Sequence, residues 1–160
     1  MFDHVSVGSS RRRRLLIPLA LASATLAAAT AVLAQADVIT ERRNIMKANG
    51  AAARTGTQLI RGEVPFDVAK AREVFTGIQT RMTRFPDLFP ETSKTGGETK
   101  ASPHIWEDMA GFRARAAQIV QDATQAAAAT TDLASFQANF QKVGANCNAC
   151  HQAYRINPPQ

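Results

Sequence analysis

Residues 132–155, DLASFQANFQKVGANCNACHQAYR, decide the architecture. Asp132 has the side chain of a helix N-cap. After it, Leu133, Phe136, Phe140, Val143, Cys147, Cys150 and Tyr154 recur at alternating spacings of three and four. That period makes one apolar face on a helix packed in a bundle. The face runs straight into Cys147-Asn148-Ala149-Cys150-His151, which spells C-x-x-C-H, the attachment signal of a c-type haem. Each spacing has a chemical purpose. Two thiols about one helical turn apart reach one edge of a flat macrocycle and add to its two vinyl groups. His151 follows Cys147 by one turn on the same face, where its imidazole can take an axial place on the iron.

Other uses of these residues fit less well. A thioredoxin-like C-x-x-C belongs within a βαβ pattern, and nothing upstream alternates like strands. A structural zinc site needs four ligands, yet only His4 and His104 remain as histidines and no third cysteine exists. A disulfide between neighbours on one turn closes too small a loop to stabilise much.

The first 36 residues look like a cleaved export signal. Arg11 to Arg14 form a positive region, Leu15 to Leu33 an apolar run, and Ala34-Gln35-Ala36 a small-x-small cleavage site. An uncleaved membrane anchor is the alternative, because the run approaches spanning length. The run is Ala-rich, however, and carries Ser23, Thr25 and Thr30. Export also agrees with the haem reading, since c-type haem is joined to its protein outside the cytoplasmic membrane. The full chain has 19 basic and 13 acidic residues, net +6, but the leader holds four Arg and Asp3. Without it, 15 basic and 12 acidic residues remain, net +3. The excess of positive charge sits largely in the leader, so it is poor support for nucleic-acid binding. Residues 37–160 make one ordinary domain.

Three more helical stretches precede the last one. The first is expected over about 37–61, with Val38, Ile39, Arg42, Ile45, Met46, Asn49, Ala52, Ala53 and Ile60 on one face and Gly62 as a stop. Asp67 caps the second, whose stripe is Val68, Ala71, Val74, Phe75, Ile78, Met82 and Phe85, with Pro86 ending it. Residues 86–101 read as the least ordered stretch, with Leu88 and Phe89 tucked over the core. Ser102 and Pro103 open the third helix, which is expected to run on to Thr131 with Ile105, Trp106, Met109, Phe112, Ala116, Ile119, Val120 and Ala123 inward. The fold class expected is all-α, an antiparallel up-down-up-down four-helix bundle holding a covalent haem.

The chain resembles the class II c-type cytochromes, the cytochrome c' family. These carry C-x-x-C-H late on the fourth helix of a bundle, often continuing to Tyr-Arg, as Tyr154 and Arg155 do here. Pro65-Phe66-Asp67, Leu88-Phe89-Pro90 and Ile105-Trp106 look like further markers, and Ile45-Met46-Lys47-Ala48-Asn49-Gly50 looks like the first-helix signature of the low-spin members.

The residues alone do not choose among Met46, Met82 and Met109 as a ligand, and a methionine filling a core gap is the plain reading of each. The resemblance points to Met46 as the sixth iron ligand opposite His151. A thioether is soft and favours Fe(II), and a filled sixth position leaves no vacancy for gas. The resemblance further implies a propionate-binding arginine at Arg42, with Arg43 as competitor and a solvated side chain as the bland alternative. Trp106 and Tyr154 are expected at the haem wall, and His104 at the surface.

The function expected is electron transfer in the periplasm by one haem c, with no enzymatic turnover. The partners expected are other redox proteins met transiently, with no nucleic acid, no membrane after leader cleavage, and a homodimer left open. The rival from the same family is a five-coordinate, gas-binding cytochrome c' in which Met46 only packs.

Overall fold

Asp132 caps the last helix as its sequence foretells, and does so reciprocally. Its carboxylate accepts from the Ser135 N–H at 2.8 Å, and the Ser135 hydroxyl accepts from the Asp132 N–H at 3.0 Å. The computed structural model describes residues 17–156, with side chains described from residue 37 onward. The chain divides into two compact units, 1–34 and 35–160. All that follows concerns the second, apart from the start of the first helix.

The described residues form five helices: α1 (Ile17–Ile60), α2 (Val68–Arg84), α3 (His104–Glu107), α4 (Met109–Ala129) and α5 (Leu133–Tyr154). The described residues contain no strand, only an isolated bridge between Ala101 and Arg155. Side-chain contacts give the direction of each helix. Glu41 pairs with Arg84, and Asn49 accepts from Arg81, so α1 and α2 run antiparallel. Arg72 donates to the Thr130 carbonyl, while Phe85 meets Phe112, so α2 and α4 do likewise. Lys142 reaches Gln125 and Tyr154 reaches Asp108, which sets α5 against α4. The result is the expected up-down-up-down bundle.

Three expectations need correction. The third helix is interrupted. Asp108 leaves helical geometry (φ −128°, ψ 57°), and its carboxylate accepts from the Gly111 N–H at 3.0 Å to start α4 afresh. An aspartate that can cap offers its backbone an alternative to continuing the helix. Residues 85–101 are also better ordered than their composition suggests. Phe85–Leu88 and Glu91–Ser93 form 3₁₀ turns. Phe85, Phe89 and Ser93 are buried there, so packing overrides the Pro and Gly signals. Finally, Leu133 and Ala53 lie on exposed positions, whereas Leu59, outside the expected stripe, is buried. Ala53 and Leu133 sit at the edges of their apolar stripes, where rotation by one residue decides burial.

The core has two aromatic clusters. Phe66 and Phe75 pack on Phe136 at 6.0 and 5.3 Å, with Phe140 beyond. Phe89 meets Phe85 at 5.1 Å and Phe112 at 4.7 Å, both edge to face. Each fully buried phenylalanine contributes roughly 1.5–3 kcal/mol of transfer free energy. The second cluster lies at the C-terminal end of α5 and frames the residues considered next.

Candidate haem site

Cys147 and Cys150 occupy the last two turns of α5, the first half-buried and the second buried, with no disulfide between them. Burial raises both thiol pKa values, and Cys150, further opposed by Cys147, is pushed up to about 11. At neutral pH both are protonated, so neither is primed as a nucleophilic thiolate of the thioredoxin kind. His151 is half-buried, and burial followed by the charge of Arg155 lowers its pKa. The imidazole is thereby held neutral, the form that ligates a metal. Among the described residues no cluster of three or more His, Cys, Asp or Glu could hold a metal ion.

The end of α5 is anchored on both sides of the motif. Downstream, the Tyr154 hydroxyl donates to Asp108 Oδ2 at 2.7 Å, and the Ser102 N–H donates to the Tyr154 carbonyl at 3.0 Å. The rings of His104 and Tyr154 stack at 5.5 Å, and His104 is exposed, as expected. Upstream, Asn146 donates to the buried carboxylate of Asp122, which also takes Lys142 at 2.9 Å and Gln118 at 3.2 Å. Burial alone would raise the Asp122 pKa. Lys142, Gln118 and Asn146 more than offset that and hold it below its usual value. Asp108 and Asp122 escaped the sequence reading. Asp108 stood in an expected helix interior, and Asp122 carries a charge at a core-facing position that the apolar pattern does not reveal.

From α1, Arg42 enters the same end of the bundle. It is 5% exposed, so the solvated alternative does not hold. Its Nη2 donates to the Ser93 carbonyl at 3.1 Å, and the guanidinium lies 4.4 Å from the centre of the Phe89 ring and 5.9 Å from that of Trp106. Nε and Nη1 are buried without a partner. Arg43, the competitor, is exposed and paired with Glu98 at 2.7 Å. A continuous series of contacts, Arg42 to Phe89 to Phe112 to Tyr154, therefore links α1 to the motif end of α5. Trp106 closes one side, its Nε1–H donating to the Phe89 carbonyl at 3.2 Å. Met46, one turn beyond Arg42, is half-buried and packs against the core. The sulfur of Met82 accepts from Asn49 Nδ2 at 3.4 Å, whereas that of Met46 has no hydrogen bond among the described residues.

Residues 37–155 match the family model described as cytochrome c'. The chain belongs to the cytochrome c' family. It is 40% identical over 123 residues to cytochrome c' of Rhodopseudomonas palustris, spanning 77% of this chain and 84% of the relative. It is 38% identical over 119 residues to cytochrome c-556 of Agrobacterium fabrum, spanning 74% and 80%. The solved cytochrome c' from Rhodopseudomonas palustris superposes with a TM-score of 0.74 at 38% identity, covering 77% of this chain and 98% of that one. Like other members of the cytochrome c' family, the protein is a four-helix bundle with covalently attached haem c.

The residues present fit that group. Two cysteines outside any disulfide, a neutral imidazole and a buried guanidinium with two unsatisfied donors lie at one end of the bundle. The orphaned donors are the telling feature. Buried N–H groups of an arginine are rarely left unpaired, and an anion such as a carboxylate completes them.

Proposed function

We propose that this cytochrome is a periplasmic electron carrier with His151 and Met46 as the axial ligands of its haem. Cys147 and Cys150 hold the group through two thioethers, and Arg42 binds a propionate. Trp106 and Tyr154 wall the pocket. The bound haem supplies the one-electron couple. The chain's own residues exclude water, fix the ligands and set the charge around them.

The observation that carries this reading is Met46. It is half-buried against the core, one turn from Arg42 on α1, with a sulfur that takes no hydrogen bond among the described residues. A soft thioether there stabilises the reduced state. Tyr154, Asp108, Asp122 and Asn146 brace α5 on both sides of His151, so little has to move when the charge changes. A site with little reorganisation suits electron transfer. Members of the family are periplasmic, and residues 1–36 serve as the cleaved export signal in this proposal. No helix of the described residues is long and apolar enough to cross a membrane. The partner is another redox protein, met transiently.

The second reading, a five-coordinate gas binder, draws on the 40% identical relative that bears the name cytochrome c'. Carbon monoxide added to the reduced protein separates the two. A low-spin spectrum with slow or negligible CO uptake is expected. Rapid, stoichiometric uptake from a high-spin resting state would establish the gas binder instead.

A further inference from the structure

The end of the bundle that carries the motif has cations without an ion-pair partner among the described residues. Arg155 is exposed directly after Tyr154, and its charge reaches His151. Arg115, exposed on α4, acts on both Cys150 and Tyr154. Lys100 is brought alongside by a short antiparallel pairing, in which Ala101 bridges Arg155 and the Ile156 N–H donates to the Lys100 carbonyl at 2.9 Å. None of these three cations has an ion-pair partner among the described residues. Arg43, Arg84 and Arg113 are instead each tied to a carboxylate.

Of the acidic groups nearby, Asp122 is paired with Lys142, Asp108 accepts from Tyr154 and Gly111, and Glu107 lies 3.3 Å from His104, whose ring is charged only when protonated. Next to Arg155 and Lys100 stands Ile156, 50% exposed. Only one other large apolar side chain among the described residues is comparably exposed, Leu133, at the far end of α5. An apolar spot beside cations that lack ion-pair partners is the composition of a protein contact, with the apolar part supplying burial and the cations supplying steering.

We propose that Lys100 and Arg155 beside Ile156, with Arg115 on the adjoining face of α4, form the docking surface for an acidic redox protein. The proposal rests on the electron-carrier reading above. Across this surface one electron passes from the reduced cytochrome to the oxidised partner, which gains it. No bond forms or breaks, and no proton moves. The surface lies beside Cys150 and His151, so the partner meets the protein where the path to its redox group is short. The cations raise the encounter rate without building a long-lived complex, because exposed charges steer strongly and bind weakly.

The test uses the haem-loaded protein and plastocyanin, an acidic blue-copper protein, as oxidant in stopped flow. Ionic strength is raised from about 0.01 M to about 1 M, which shrinks the screening length from ~30 Å to ~3 Å. The wild-type rate should fall steeply across that range. The double variant Arg115→Glu/Arg155→Glu should be slower by about tenfold or more at low salt and lose most of its salt dependence. Arg54→Glu, exposed on α1 away from this end, should stay within about twofold of wild type. An equilibrium readout accompanies the rates. The redox-inert anion hexacyanochromate(III) should broaden amide signals around residues 100, 115 and 155.

A double variant as fast as wild type, or broadening centred elsewhere, overturns the docking surface. Failure of the underlying reading looks different. A high-spin protein that exchanges electrons slowly with both plastocyanin and the cation hexaammineruthenium(III) is no electron carrier, and the docking proposal falls with it. Fast exchange with both reagents, indifferent to charge reversal, leaves the carrier reading standing and removes only the surface.

Discussion

Replacing Arg42 by Met separates a structural arginine from one that awaits an anion. Within the protein, Arg42 makes one hydrogen bond, to the Ser93 carbonyl, and two ring contacts, the nearer with Phe89. The bond contributes about 1.5–3 kcal/mol as a charged donor, and the desolvated cation–π contact about 2 kcal/mol. Against these stand two buried donors without partners, Nε and Nη1. Each costs roughly 1–3 kcal/mol. The opposing contributions partly cancel, so Arg42→Met in the haem-free protein should change stability by no more than about 3 kcal/mol, in either direction. With haem attached and a propionate on the orphaned donors, the same substitution strips one partner from a buried ion pair. That costs about 3–5 kcal/mol. Guanidinium chloride unfolding of the two forms, each against its own parent, reads the difference. The haem-free form is made by replacing Cys147 and Cys150 with Ala. The holo protein also gives a spectroscopic readout, because removing a cation beside the haem should lower its reduction potential. If Arg42→Met leaves the holo protein within about 1 kcal/mol of wild type and its potential unmoved, Arg42 does not hold a propionate.

Three further outcomes follow from particular contacts. Met46→Ala should convert the visible spectrum from low to high spin and open the iron to carbon monoxide; an unchanged low-spin spectrum would mean that another residue is the ligand. A side chain at Gly56 would run into the ring of Phe140 across the α1–α5 contact, so Gly56→Ala should cost about 1–3 kcal/mol by overpacking. Thermal unfolding checks this, and a neutral or stabilising result would show that the α1–α5 approach is looser than described. Asp108 and Asp122 both titrate below their ordinary value of 3.8, so the stability they lend is present above that pH and lost as pH falls through their folded-state values. Asp122→Asn should therefore flatten the acid limb of a melting-temperature profile, and a variant that follows the wild-type curve would exclude this role for Asp122.

Much of this protein was legible in the chain because its signals are local. The three-four spacing of Phe136, Phe140, Val143, Cys147, Cys150 and Tyr154 needs only one helix to be read. The caps at Asp67 and Asp132 involve backbone groups within three residues. C-x-x-C-H is likewise complete within five consecutive residues. Nonlocal contacts decided the rest. Asp108 breaks a helix that periodicity would continue, because Tyr154, 46 residues away, completes its carboxylate. Phe89 and Ser93 order a segment rich in turn residues because Arg42, from another helix, caps the Ser93 carbonyl and covers the Phe89 ring. Asp122 is buried because Lys142 and Asn146 meet it across the α4–α5 seam. Spacing along the chain determined which residues share a helical face. Only tertiary packing could decide which buried charge finds a partner and which, like Arg42, is left holding two donors open, since that depends on groups far apart in sequence meeting out of water.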